Sequence, residues 1–180
     1  MPVLPAPIAA LLDNPRGHLA GTDAKLTLPL GRTLLNEILA ARPDDVPVEE
    51  LLLDPDRGNL FHLHLAVKAP VVGQVKRRIT FRPGAAVSFP DQPWLQLDIT
   101  DGFGFLDKPI LKLMQGQLAQ RLPKGVELTS DHLRLHVPAL LTAAGYQQLV
   151  PLIKHLQLQS VANRLVLFVR ITAPAAAPQN

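Results

Sequence analysis

The chain contains no cysteine. That excludes disulfides, thiolate nucleophiles and Cys-ligated metal. Aromatic residues are scarce, at 4% of the chain. Surfaces for stacking bases or sugars are therefore poorly supplied, whereas an aliphatic interior suits side-chain packing or acyl chains. Charge is thin as well: 18 Lys and Arg stand against 15 Asp and Glu, a net charge of +3. That is too small a footprint for a dedicated nucleic-acid binder, and no nucleic-acid partner is expected. No apolar run approaches the roughly 18–20 residues that cross a bilayer. The proline-interrupted start lacks a basic n-region, so the sequence as given favours a cytoplasmic location; removal of an export signal would place the protein in the periplasm.

The familiar catalytic and phosphate-binding signatures are missing too. There is no GxxxxGK[ST], no GxGxxG and no GxSxG. Asp91, Asp98, Asp101 and Asp107 read as turn and cap residues, where Asp serves the backbone. No acid/base pair can be assembled from them. The expectation is a non-enzyme with no cofactor and no metal.

What the chain does have is apolar residues, 47% of its 180, enough for one domain with a sizeable core. Two stretches, 26–70 and 133–174, follow the same course. Each opens with an alternating strand, Leu26-Thr27-Leu28 or Leu133-Arg134-Leu135. Each continues into a helix around Leu34-Leu35 or Leu140-Leu141. Each leaves through Val-Pro, runs through two strands and ends at Ala-Pro. This reads as a divergent β-α-β-β repeat, two halves of one domain that bury each other's apolar faces.

Residues 1–23 form a lead-in, 24–173 a single α+β domain, and the Ala/Pro-rich 174–180 a disordered tail. Leu34, Leu35, Ile38 and Leu39 share a helical stripe. Val48–Leu53 reads as a strand, closed by an Asp54–Asn59 turn. The next strand alternates clearly: Phe61, Leu63, Leu65 and Val67 on a dry face, His62, His64, Ala66 and Lys68 on a wet one. Gln74–Arg82 sets Val75, Ile79 and Phe81 against Lys76, Arg78, Thr80 and Arg82. Arg77 falls on the apolar side, where a charge needs a partner or a place at the sheet margin. Ala85–Phe89 and Trp94–Thr100 continue an antiparallel meander. Asp107 caps a long helix with Pro109 in its first turn and an apolar stripe through Ile110, Leu111, Leu113, Met114, Gln117, Leu118 and Leu122. A hairpin at 126–137, a helix at Pro138–Leu149 and strands at 152–159 and 164–172 complete the domain. The predicted architecture is a curved antiparallel sheet wrapped on the long helix.

Three groups invite a chemical role. His62 and His64 lie about 7 Å apart along one strand face, but a metal site needs a third ligand and none is near. They read as solvent-facing, and His132 and His136 read likewise. Lys76, Arg78 and Arg82 form a cationic face able to meet an acidic headgroup, or else an ordinary polar strand face. Ile110, Leu113, Met114, Leu118 and Leu122 can line a cavity for an acyl chain, or simply fill a core.

A helix followed by long antiparallel strands, ending in Leu156-Gln157-Leu158-Gln159-Ser160 and Leu165-Val166-Leu167-Phe168-Val169-Arg170-Ile171, resembles small bacterial members of the tubular lipid-binding (TULIP-like) superfamily. The resemblance runs over residues 24–173. It implies a curved sheet around a long helix and an elongated apolar groove for lipid; it assigns no individual site residue. The expected function is non-enzymatic binding of a lipid or other apolar ligand between sheet and helix, with a membrane surface as a further partner. The alternative is a structural or protein-interaction domain with a filled core, whose protein partner the sequence does not name.

Overall fold

A computed structural model describes residues 10, 13–40, 48–69, 73–102 and 124–175. A single helical turn, α1 (Pro15–His18), leads into β1 (Asp23–Gly31), α2 (Arg32–Ala40), β2 (Val48–Asp56), β3 (Leu60–Ala69), β4 (Gly73–Pro83), β5 (Val87–Ser88) and β6 (Trp94–Asp101). After residue 123 follow β7 (Val126–Leu128), β8 (His132–His136), α3 (Val137–Ala143), β9 (Ile153–Val161) and β10 (Arg164–Thr172). The fold is mixed α+β and mostly strand. The strands divide between two antiparallel sheets, β1-β10-β9-β5 and β2-β3-β4-β6-β8-β7. The long helix expected at 107–122 lies outside the described residues. Among the described residues no helix is long and apolar enough to cross a membrane.

The order β-α-β-β occurs twice, as β1-α2-β2-β3 and as β8-α3-β9-β10. The first strand of each set joins the sheet that holds the other's hairpin. β1 pairs with β10 along its whole length, from Asp23↔Thr172 to Gly31↔Arg164. β8 pairs with β6 in the six-stranded sheet. The two hairpin turns use left-handed asparagines, Asn59 at φ 59° and Asn163 at φ 65°, a conformation Asn tolerates better than other residues with a Cβ. The turns also touch. Ser160 N–H donates to Asn59 Oδ1 at 2.9 Å, Ser160 Oγ donates to Asp56 O at 3.2 Å, and Asn163 N–H donates to Pro55 O at 3.0 Å.

The inner faces of the sheets meet in one core. Phe61, Ile79, Phe81, Leu95 and Leu97 come from the larger sheet; Val87, Leu156, Leu158 and Leu165 come from the smaller. Phe61 and Phe81 stack with centroids 5.3 Å apart, as cross-strand partners on β3 and β4. Val87 belongs here because β5 does not continue the meander. It crosses to the other sheet and pairs Val87 with Leu156, while β4 pairs directly with β6. The expected strand at 85–89 is thereby shortened to two residues and moved to the other layer.

Edges explain several residues that look misplaced in sequence. Pro29 lies within β1, an edge strand. Hydrogen bonds from Ala173 to Thr22 and from Arg32 to Asn163 set the even-numbered residues of β1 toward β10, so the missing Pro29 N–H is on the open side. Arg77 is exposed because β6 pairs only with Thr80–Pro83 of β4. Among the described residues, Gln74–Ile79 is a sheet margin, where an inward-pointing charge keeps access to water. Asn36 of α2 closes the outer edge of β2: its amide donates to Leu53 O at 3.0 Å and accepts from Leu53 N at 2.7 Å. The α2 stripe splits accordingly. Leu35 packs on the core, whereas Leu34 and Ile38 are 45% and 60% exposed.

α3 is shorter than the predicted 138–149. His136 caps it, accepting from Ala139 N at 3.1 Å. Gly145 at φ 82° then breaks it, and a separate 3-10 turn covers Gln147–Leu149.

Candidate functional site: a charged groove on the six-stranded sheet

The outer face of β2, β3 and β4 is assembled by register. Cross-strand partners share a face, so the pairings stack three rows. These are Glu50–Ala66–Lys76, Leu52–His64–Arg78 and Asp54–His62–Thr80. The register is unbroken from Asp56↔Leu60, beside the turn at 57–59, back to Glu50↔Ala66, so the turn sets the phase that puts Glu50, Leu52 and Asp54 on the face of His62 and His64; the bulge between Val48 and Glu50 lies beyond them. An open groove of about 580 Å³ lies here, lined by Arg32, Glu50, Leu52, Asp54, His64, Leu65, Lys76, Arg77 and Arg78; Ala66, His62 and Thr80 of the rows are not in its lining.

The pair expected to face solvent, His62 and His64, divides. His62 is 7% exposed. Its Nδ1 lies 3.1 Å from Thr80 Oγ1 and its Nε2 lies 3.4 Å from Asp56 Oδ2. A proton on Nε2 lets it donate to Asp56 and lets Nδ1 accept from the Thr80 hydroxyl. The Arg57 backbone N–H, 2.7 Å from Asp56 Oδ1, and then the His62 contact hold the Asp56 carboxyl below the usual carboxylate range. Asp56, His62 and Thr80 thus stand in the order of a nucleophilic triad. Thr80 is itself 6% exposed, in mid-strand, with its hydroxyl turned to His62. The cluster's consequence is positional. Arg78 Nη2 donates to His62 Nδ1 at 3.2 Å, sharing that acceptor with Thr80, and lies 3.1 Å from Nε2 without a hydrogen bond in this tautomer, which places the guanidinium against the ring at the groove floor.

His64 is only half-buried and faces the groove. Arg32, the first residue of α2, reaches Asp54 at 3.2 Å and forms one rim. Among the described residues, the side chains of Glu50, His64 and Lys76 have no hydrogen-bond or ion-pair partner. Of the three cations predicted for a headgroup, Lys76 and Arg78 line the groove. Arg82 shares their face but lies opposite Asp98 of β6, outside the lining. Asp98 is itself in mid-strand, accepting from Gln96 Nε2 at 2.7 Å, and not in a turn. The predicted apolar lining, Ile110, Leu113, Met114, Leu118 and Leu122, lies outside the described residues. Sequence reasoning did not find Arg32, Glu50, Leu52 and Asp54. Their signal is the parity of β2 against β3, which follows once the pairing of Asp56 with Leu60 across the turn is known.

Comparison with known proteins adds no relative: no family model, curated protein or solved structure matches the chain.

Elsewhere on the same face, Arg134 lies 4.6 Å over the Trp94 ring and 3.4 Å from Glu127. His136 meets Trp94 edge-on at 4.8 Å. These contacts already occupy Arg134, and they tie β6, β7 and β8 together. Across the whole face Lys76, Arg78, Arg82 and Arg134 are balanced by Glu50, Asp54, Asp98 and Glu127.

Proposed function

We propose that this chain is a non-enzymatic binding module for an acidic amphiphile, a lipid or a molecule like it, whose headgroup occupies the groove at Lys76 and Arg78. The supporting observation is the groove itself, with one cation lacking a partner among the described residues and another placed against a buried histidine. Leu52, 39% exposed in the lining, offers a first apolar contact to a chain. Each CH₂ group buried beyond it contributes about 0.8 kcal/mol. The tubular lipid-binding resemblance, and a duplication behind the two β-α-β-β sets, belong to the same reading. The balanced charge of the wider sheet face supports a local headgroup site over a broad electrostatic membrane surface.

The test is native mass spectrometry of the purified protein with lipid extraction, repeated on the Lys76→Glu, Arg78→Glu double variant. The expected result is a ligand at fixed stoichiometry that the double variant loses. A bare mass, with no uptake of offered lipids, removes this reading. It would leave the second one, a protein-interaction domain, which the exposed Leu34 and Ile38 of α2 support.

A further inference from the structure

The groove is bipolar. Its β2 side is acidic and its β4 side basic. Glu50 and Lys76 end the same cross-strand row with only Ala66 between them, about 10 Å apart at two strand spacings. Ala66, the small residue between them, is 1% exposed. In the next row Leu52 and His64 lead to Arg78. Asp54 is engaged by Arg32. Glu50 is the groove carboxylate with no partner among the described residues.

A ligand head carrying negative charge alone fits this arrangement badly. Placed on Lys76 and Arg78, it sits across a short gap from an uncompensated carboxylate, and the repulsion opposes the attraction. A head that also carries a primary ammonium on a short linker satisfies both sides. Its phosphate accepts from Lys76 and Arg78, and its ammonium donates to Glu50. Resting on the headgroup reading above, we infer that the groove selects a zwitterionic phosphoethanolamine group over a purely anionic phosphate. A quaternary ammonium carries the same charge but has no N–H to donate. That chemistry is shared by a phospholipid head and by a soluble phosphoethanolamine ester.

The experiment titrates the full chain, by isothermal calorimetry and by chemical-shift perturbation, with three probes. These are glycerophosphoethanolamine, dihexanoyl phosphatidylethanolamine and dihexanoyl phosphatidylglycerol. The phosphatidylethanolamine probe is expected to bind at least about ten-fold more tightly than the phosphatidylglycerol probe. Glu50→Gln, an exposed substitution, is expected to bring the two within about two-fold of each other. Lys76→Gln is expected to weaken both. Tighter binding of the short lipid than of its free head assigns the site to a lipid; equal binding assigns it to a soluble ester. Equal affinities for the two lipids, or a preference that survives Glu50→Gln, overturn the inference and leave the headgroup site standing. If no probe binds, the site and the inference fall together.

Discussion

Asn59 and Ser160 are 101 positions apart, yet the Asn59 amide oxygen accepts the Ser160 backbone N–H at 2.9 Å. The turn of one hairpin is thereby latched to the last strand positions of the other. The same Asn59 holds a left-handed backbone and donates weakly to Pro83 O at 3.4 Å. Replacement by Gly keeps the backbone conformation and removes the latch, a loss of about 1 kcal/mol. Replacement by Ala removes the latch and adds left-handed strain, for a total of about 2–3 kcal/mol. Urea unfolding of the two variants checks this; equal losses would mean that the latch, not the backbone conformation, carries the whole effect.

Phe61 and Phe81 are stacked and nearly inaccessible, 4% and 3% exposed. Truncation of Phe81 to Ala should cost about 3–5 kcal/mol, and to Leu distinctly less, because most of the volume is kept. Both follow from denaturation midpoints at unchanged m-value. A near-neutral Ala variant would show that the two sheets can close over the gap.

Asn36 imitates a strand. Its amide takes up both the donor and the acceptor of Leu53 on the outer edge of β2. Asn36→Ala leaves that edge open, so a stability loss of about 1–2 kcal/mol should come with concentration-dependent self-association. Light scattering across a dilution series reads the second effect. A variant that stays monomeric at high concentration would show that α2 screens the edge by bulk alone.

Asp23 and Arg170 join β1 to β10 through two contacts, 3.0 and 2.6 Å. The Arg170 hydrogen bond, with smaller help from its charge and from Thr172, holds the Asp23 carboxyl below its ordinary value of 3.8. A carboxyl depressed in the folded state favours folding above the unfolded value and loses that contribution as pH falls through the folded one. Wild type should therefore melt higher than Asp23→Asn at neutral pH, with the gap closing below about pH 3.8. Both sites are solvent-exposed, so added salt should narrow the gap as well. A pH-independent gap would assign the effect to packing.

The alternation of residues 60–69 and 74–82 was enough to specify β3 and β4 and to separate the core phenylalanines from Lys76 and Arg78. Local sequence determines which side of a strand a residue takes, because successive side chains point in opposite directions. It also marked the turns after β2 and β9, through Gly58, Asn59 and Asn163. It did not determine pairing. Val87 moved to the second sheet, His62 became buried, and Arg82 was set against Asp98, because each outcome depends on which strand lies alongside, and that choice is made by contacts distant in sequence. The groove is the sharpest case. Glu50 and Lys76 come from strands separated by a third, and only the pairing of both with β3 puts them in one row on the same side. Sequence supplied the charges; tertiary register placed opposite signs across one floor.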